Sequence, residues 1–441
     1  MEDRRLGWLG IIRLGLVQTS LGAIVVLTTS TINRVMIVEQ SFLAIIPGLL
    51  VAWHYALQVL RPRWGHGSDN GGRRTPWIIG GMATLALGGI LAALSVWLAA
   101  TYFWAGLTLA ALAFTFIGIG VGAAGTSMLV LLAETVAQER RPAAATIVWT
   151  MMIAGFIVTT VLAGKFLDPF SLARLAMIAT IIGGIAFAVS TLAVLGIESG
   201  HPRQASKPQL EKTAFKKALH EVWNDADARR FAIFIFISML GYSAQDLVLE
   251  PFAGIVFRYT PGQSTSLSGT QNGGVLVGML LVGAAATWLN RGKGAALRNW
   301  TILGCLGSAL ALATLVAAAK FGPGWPLKPT VFALGFANGI FAVAAIGSMF
   351  SAAMGGKSGE GVRMGLFGAS QAIAFGAGGV TGTVMADVLK DLTGSDALSY
   401  GSVFAAEATL FIVAAALAMR IGQTRSVANP LALAAQHDLG H

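Results

Sequence analysis

Apolar residues run in stretches of about 20, the length an α-helix needs to cross ~30 Å of hydrocarbon. Short polar segments rich in Gly, Arg and Lys interrupt them. The pattern predicts twelve spans, near 11–33, 40–61, 76–98, 104–134, 142–164, 171–197, 229–257, 268–290, 298–320, 329–354, 364–389 and 398–421. The run at 104–134 is long for one span, and the run at 229–257 carries acidic residues near its end. The first run is too long for the apolar core of a cleaved signal, so it is expected to remain as a span.

The longest polar stretch, 198–230, has six spans on each side. The expected organisation is an N-terminal six-helix lobe (1–200), a cytoplasmic linker (201–228), a C-terminal six-helix lobe (229–422) and a cytoplasmic tail (423–441). Within the linker, Phe215, Leu219, Val222 and Trp223 recur at helical spacing among Lys212, Lys216 and Lys217. That suits a helix lying on the membrane face; a polar linker with chance periodicity suits it equally.

Composition agrees with the spans. Hydrophobic residues make up 55% of the 441 and charged residues 11%, too little charge to wet the surface of a soluble domain. Lipid removes that need. The formal charge is +10, but the basic residues crowd into alternate loops. Arg61, Arg63, Arg73 and Arg74 follow the second span, Arg140 and Arg141 the fourth, and the 198–230 stretch is rich in both Lys and Arg. The opposite loops carry scattered ones such as Arg34, Lys165, Arg174 and Arg258. This asymmetry predicts a positive-inside topology with both termini cytoplasmic, and attributes the charge to topology and anionic lipid rather than nucleic acid. The single cysteine, Cys305, lies in an apolar run and has no partner for an intramolecular disulfide. No Walker loop, HExxH, Cys-x-x-Cys or GxSxG motif occurs, and no paired Asp-rich motif for Mg-diphosphate. No enzymatic activity is expected.

Glycine clusters inside spans, at Gly118, Gly120, Gly122 and Gly125 and at Gly376, Gly378, Gly379 and Gly382. Close helix packing in lipid is the plain explanation; room for a flat ligand against bare backbone is the other. Polar groups within apolar runs are costly and so draw attention. Arg34 and Glu39, at the end of the first span, are expected to form a salt bridge fixing the following turn, or to contact a ligand. His54 could ligate a metal through neutral imidazole or hydrogen-bond a neighbouring helix. Asp246 and Glu250 are one helical turn apart on one face, a candidate proton site or a hydrogen-bond network beside Pro251. Glu134, Asp387 and Glu407 are placed near span ends, within reach of water. Asn338 and Gln371 are expected to bond between helices.

The loop after the second span reads Gly65, Asp69, Gly72, Arg73 and Arg74 at the spacing Gly-x-x-x-Asp-x-x-Gly-Arg-Arg. It resembles the loop signature of the major facilitator superfamily, with Asn70 where the signature has its first Arg. The resemblance implies an all-α membrane protein of that fold, twelve transmembrane helices in two six-helix lobes. These five residues would act as a conformational loop, Asp69 pairing with a basic group across the lobes. The equivalent place in the second half, 290–294, has no acidic residue.

Three further segments resemble the PucC/LhaA (bacteriochlorophyll delivery) family of that superfamily. They are Arg13 to Gln18 leading into Thr31 to Glu39, Gln245 to Gly254, and Gly365 to Gly376. The second is similar to Gln-Asp-x-Leu-Leu-Glu-Pro-Tyr-Gly-Gly, with Phe252 and Ala253 in place of Tyr-Gly. The chain looks closest to the family's shorter members associated with bacteriochlorophyll synthase. The resemblance implies a multi-pass protein of the intracytoplasmic photosynthetic membrane that binds bacteriochlorophyll or a precursor as cargo and helps assemble light-harvesting complexes. Antenna polypeptides are the implied partners, and bacteriochlorophyll synthase is a further candidate. His54 or Gln245 would supply the axial donor to magnesium, with Arg34 and Gln371 shaping the pigment site and Asp246, Glu250 and Glu39 a polar network. Two rivals stand beside this reading: a proton-coupled transporter of a small amphipathic solute, and a pigment-free scaffold for antenna helices.

Overall fold

A computed structural model describes residues 6–60, 73–137, 140–198, 220, 223–288, 294–354 and 360–420. Gly65, Asp69 and Gly72 of the loop signature, most of the linker and the tail 423–441 lie outside the described residues. So does the amphipathic segment of the linker, apart from its end at Trp223.

Among the described residues, twelve helices make up the bundle. They are α1 (Trp8–Val26, continued by π-helical turns at Leu27–Ile32 and Val35–Glu39), α2 (Ile45–Leu57), α3 (Thr75–Ala99), α4 (Phe103–Thr135), α5 (Arg141–Leu167), α6 (Leu172–Val194), α7 (Ala226–Phe257), α8 (Pro261–Trp288), α9 (Gly294–Phe321), α10 (Leu327–Met354), α11 (Glu360–Thr393) and α12 (Asp396–Arg420). Of these, ten are long and apolar enough to cross a bilayer, α1 counted through Glu39. The other two depart from the expected spans for physical reasons. α2 is short because Ser41 takes a positive φ of 54° and delays the helix. α8 begins at Pro261, ahead of the apolar run, because Ser264, Thr265 and Ser268 are buried there and satisfied by hydroxyl, carbonyl and carboxylate partners.

Helix ends follow local chemistry. Pro76 and Pro142 stand in the first turns of α3 and α5, where no intrahelical N–H is needed. Ser171 caps α6 by accepting from the Arg174 N–H at 3.1 Å. Asp225 caps α7 by accepting from the Asp227 N–H at 3.0 Å. α7 ends at Arg258 in the left-handed region, φ 59°, and the Tyr259 N–H closes back to the Ala253 carbonyl at 3.1 Å, a helix stop of the Schellman type.

Two apolar cores form. One gathers side chains from Leu6 to Ile197, joined by Leu247. The other runs from Phe231 to Ala418 and is built on aromatic contacts such as Phe231–Phe367, with ring centroids 4.9 Å apart, and Phe252–Phe404, also 4.9 Å. A small cluster of Ile153, Val275 and Met279 bridges them where α5 meets α8. α2 meets α11 at the other seam. Large apolar side chains such as Leu9, Trp97, Trp104, Leu162, Leu192 and Leu310 face outward, as a lipid-facing surface requires.

The glycines of α3 and α4 mark close backbone approach. A Cβ on Gly120 would stand 2.6 Å from the Leu85 nitrogen, and one on Gly81 2.6 Å from the Ala124 nitrogen. Both contacts are with backbone, so the helices would have to move apart. Gly120→Ala is therefore expected to destabilise the protein by about 1–3 kcal/mol, read as a lower Tm in detergent. Gly184→Ala, whose Cβ meets nothing within 4 Å, should leave Tm unchanged.

Candidate functional site

The polar residues of α1, α7 and α8 meet at the end of the bundle opposite the start of α1 and the end of α12. The arrangement starts from Pro251, inside α7. Proline has no N–H, so the carbonyl four residues earlier, that of Leu247, loses its helical donor. Asn33 of α1 replaces it: its Nδ2 donates to Leu247 O at 2.9 Å, fully buried. A bond that would normally lie inside one helix here joins two lobes.

Neighbouring residues extend the clasp. The Glu250 side chain is wholly buried, and its Oε1 accepts from Ser30 Oγ and from Ser268 Oγ, both at 2.6 Å. Thr31 and Thr265 hydroxyls meet at 3.1 Å. Arg34, 1% exposed, donates through Nη1 to Glu39 Oε1 at 2.6 Å and through Nη2 to the Tyr259 carbonyl at 2.8 Å. The expected Arg34–Glu39 salt bridge is thus present, and π-helical geometry makes it available. Five residues along an α-helix lie roughly 140° around the axis; an i→i+5 turn returns them to nearly the same face. Two more carboxylates close the same end. Asp387 of α11 accepts from the Ala44 and Ile45 N–H groups at the start of α2, at 3.0 and 2.8 Å. Asp168, after α5, accepts from Thr260 Oγ1 at 2.5 Å and the Gly262 N–H at 3.2 Å.

The other expected site residues do not gather in one place. His54 is buried in α2 with Nδ1 2.8 Å from the Val51 carbonyl, and its ring lies 4.1 Å from that of Tyr55. Gln245 belongs to a chain inside the C-terminal lobe. Its oxygen accepts from Asn338 Nδ2 at 2.8 Å, and Asn338 Oδ1 accepts from Ser308 at 2.7 Å. The atom expected to ligate magnesium is therefore already engaged. Gln371 is half-buried on α11. Of the loop residues, Arg73 is exposed and Arg74 is buried, pairing with Glu134 at 2.7 Å. The Arg74 and Thr75 N–H groups donate to Glu198 at 2.7 and 2.8 Å. The described portion of the loop is thus fastened within the N-terminal lobe.

Asp246 and Glu250 share a face, as their spacing requires, but not a setting. Glu250 is held in the clasp, whereas Asp246, one turn earlier in α7, is half-buried. Its electrostatic neighbours are Tyr242 and Glu407. Glu407 corrects an expectation: it is not at a solvated span end but mid-way along α12, 2% exposed. An acidic residue nine positions into an apolar run was the signal for it.

The profile of the family described as PUCC protein matches residues 31–426. The chain belongs to the PUCC protein family. It is 51% identical over 427 residues to the Bacteriochlorophyll synthase 44.5 kDa chain of Rhodobacter capsulatus, covering 96% of this chain and 98% of that one. It is 31% identical over 419 residues to Protein PucC of Cereibacter sphaeroides, covering 90% and 88%. Among solved structures, this PUCC chain superposes on a bacterial homologue of the lysosomal transporter Spinster in an inward-facing, unoccupied conformation (TM-score 0.68, 15% identity, 93% and 95% covered). It also matches tetrameric PepTSo2 (TM-score 0.68, 13% identity, 94% and 97% covered). These likenesses show the fold, that of major facilitator transporters. The PUCC chain is thus an all-helical, multi-pass membrane protein of that fold.

The clasp makes a direct prediction. Thr31→Cys and Thr265→Cys, combined in a Cys305→Ser background, should crosslink readily on mild oxidation, read as a gel shift. Each single variant should not shift.

Proposed function

We propose that this PUCC-family chain binds bacteriochlorophyll or a late precursor as cargo and delivers it to antenna polypeptides during assembly of light-harvesting complexes. The observation that carries this reading is the relative that shares half its residues from end to end and bears bacteriochlorophyll in its name. The word synthase in that name belongs to the relative; the reading here is non-catalytic. The chain would sit in the photosynthetic membrane with both termini cytoplasmic, and the enzyme that makes the pigment would be a natural donor.

The chemistry of the cargo suits such a body. The pigment is flat, apolar and tailed, and partitions into lipid, so its carrier needs apolar walls and few polar groups. A cleft of about 310 Å³ between α3 and α4 is lined by Trp77, Gly80, Gly81, Thr84, Ile119 and Ala123. An aromatic plane and bare glycine backbone supply such walls, enough for a portion of a macrocycle. Of the two expected axial donors, His54 fits better. Its Nδ1 lies 2.8 Å from the Val51 carbonyl, a backbone anchor of the kind that orients a ligating imidazole. Gln245 would first have to release Asn338.

The test is an absorption spectrum. Protein purified in mild detergent from a pigment-producing host should carry a near-infrared band, reduced at least several-fold in His54→Leu. A pigment-free preparation from such a host would sink the reading.

A second reading, secondary transport of a small amphipathic solute, draws on two lobes fastened at one end only by groups that could separate. Uptake into vesicles driven by a pH gradient, and abolished by Asp246→Asn, would establish it.

A further inference from the structure

Glu407 is a buried acid that neither the clasp nor the pigment reading uses. It stands mid-way along α12 between the buried rings of Phe404 and Phe411, 2% exposed. Neither of its carboxylate oxygens has a hydrogen-bond partner among the described residues. The charged group that acts on it is another acid, Asp246 of α7. Asp246 itself accepts no hydrogen bond from the described residues. Tyr242, one turn before Asp246, interacts with it and with Tyr55 of α2. The ring of Phe375 from α11 closes the group, 5.6 Å from Tyr55 and 6.0 Å from Tyr242. The Arg34 guanidinium, from the end of α1, acts instead on Glu250, one turn further along α7 within the clasp.

Two acids on helices that pack together, as Gly241 against Leu410 and Phe411 shows, with no basic neighbour and no hydrogen bond to either among the described residues, lack what buried charge requires. The missing component is a counter-charge. It must be small, because Glu407 is almost wholly buried, and the half-buried Asp246 marks the way in. No group of three His, Cys, Asp or Glu side chains among the described residues could hold a metal ion, which argues against a multiply ligated divalent ion.

We propose that Asp246 and Glu407 form a binding site for one small monovalent cation, a proton or an alkali ion, entered from the seam between the lobes past Tyr242 and Tyr55. The site is independent of the pigment reading, and each can fail without the other. It also separates two roles that sequence spacing merges: Glu250 fastens the lobes, and Asp246 works with Glu407.

The experiment uses purified full-length protein. Thermal unfolding is followed in sodium, potassium, lithium and choline chloride at equal ionic strength. Infrared spectra in H₂O and D₂O are recorded for the C=O stretch of a protonated carboxyl. A saturable rise in Tm with one alkali ion over choline, lost in Glu407→Gln, identifies the cation as that ion. Without such a rise, a protonated-carboxyl band that shifts in D₂O and is lost in Glu407→Gln or Asp246→Asn identifies it as a proton. If wild-type protein shows neither an alkali-dependent Tm nor a protonated-carboxyl band, the proposal is overturned. A band that persists in both variants belongs to another buried acid, such as Glu250, and overturns the proton assignment; Asp246→Asn serves where Glu407→Gln fails to fold.

Discussion

One missing hydrogen-bond donor organises the end of the bundle where the lobes meet. Inside a membrane a backbone carbonyl cannot turn to water, so each must be satisfied by the protein. Pro251 deprives the Leu247 carbonyl of its helical N–H, and Asn33 from the other lobe supplies the replacement at 2.9 Å. Leaving a buried acceptor unpaired costs about 1–3 kcal/mol. The lobes are thus drawn together by a local backbone need, with direction and register built in. Apolar contact alone gives neither, since lipid tails are as apolar as the side chains.

The surrounding polar residues take their positions from that contact. The π-helical turns at the end of α1 shift the register so that Ser30, Thr31, Asn33 and Arg34 face α7 and α8, while Arg34 can still reach Glu39. Glu250, next to Pro251, then finds two hydroxyls from different lobes. Hydroxyls and carboxamides make contacts of modest individual strength, about 0.5–1.5 kcal/mol each. They close an end firmly in sum, although each is weak enough to break singly. This end of the bundle is closed in the conformation seen here.

Much of the fold was legible in the residues. The twelve apolar runs, the polar break near the middle and the alternation of basic loops lead to twelve helices, because lipid imposes length and apolarity on every span. Span ends were less legible. α8 extends ahead of its apolar run, since its early hydroxyls find partners in its own first turn, in α7 and in α1, and such partners leave no trace in local hydropathy. The π turns of α1 were equally hidden, because no residue pattern distinguishes them from an α-helix. At the site, the Gln245 to Gly254 segment stood out by its acids and proline, and the Arg34–Glu39 pair was foreseen. The partnership of Asn33 with Leu247 was not, although Pro251 announces that a carbonyl one turn earlier must be sought by something. Glu407 lies nine positions into its apolar run, and that distance, rather than its charge, marks it as buried instead of solvated at a span end.

A double-mutant cycle on Asn33 and Pro251 tests the central claim most directly. Stability is measured as Tm in one detergent for wild type, Asn33→Ala, Pro251→Ala and the double variant. If Asn33 serves the carbonyl that Pro251 orphans, Asn33→Ala lowers Tm in the wild-type background and has almost no effect once Pro251→Ala restores the helical N–H. Equal losses in both backgrounds would show that Asn33 does something else, and the bridge between the lobes would lose its physical cause.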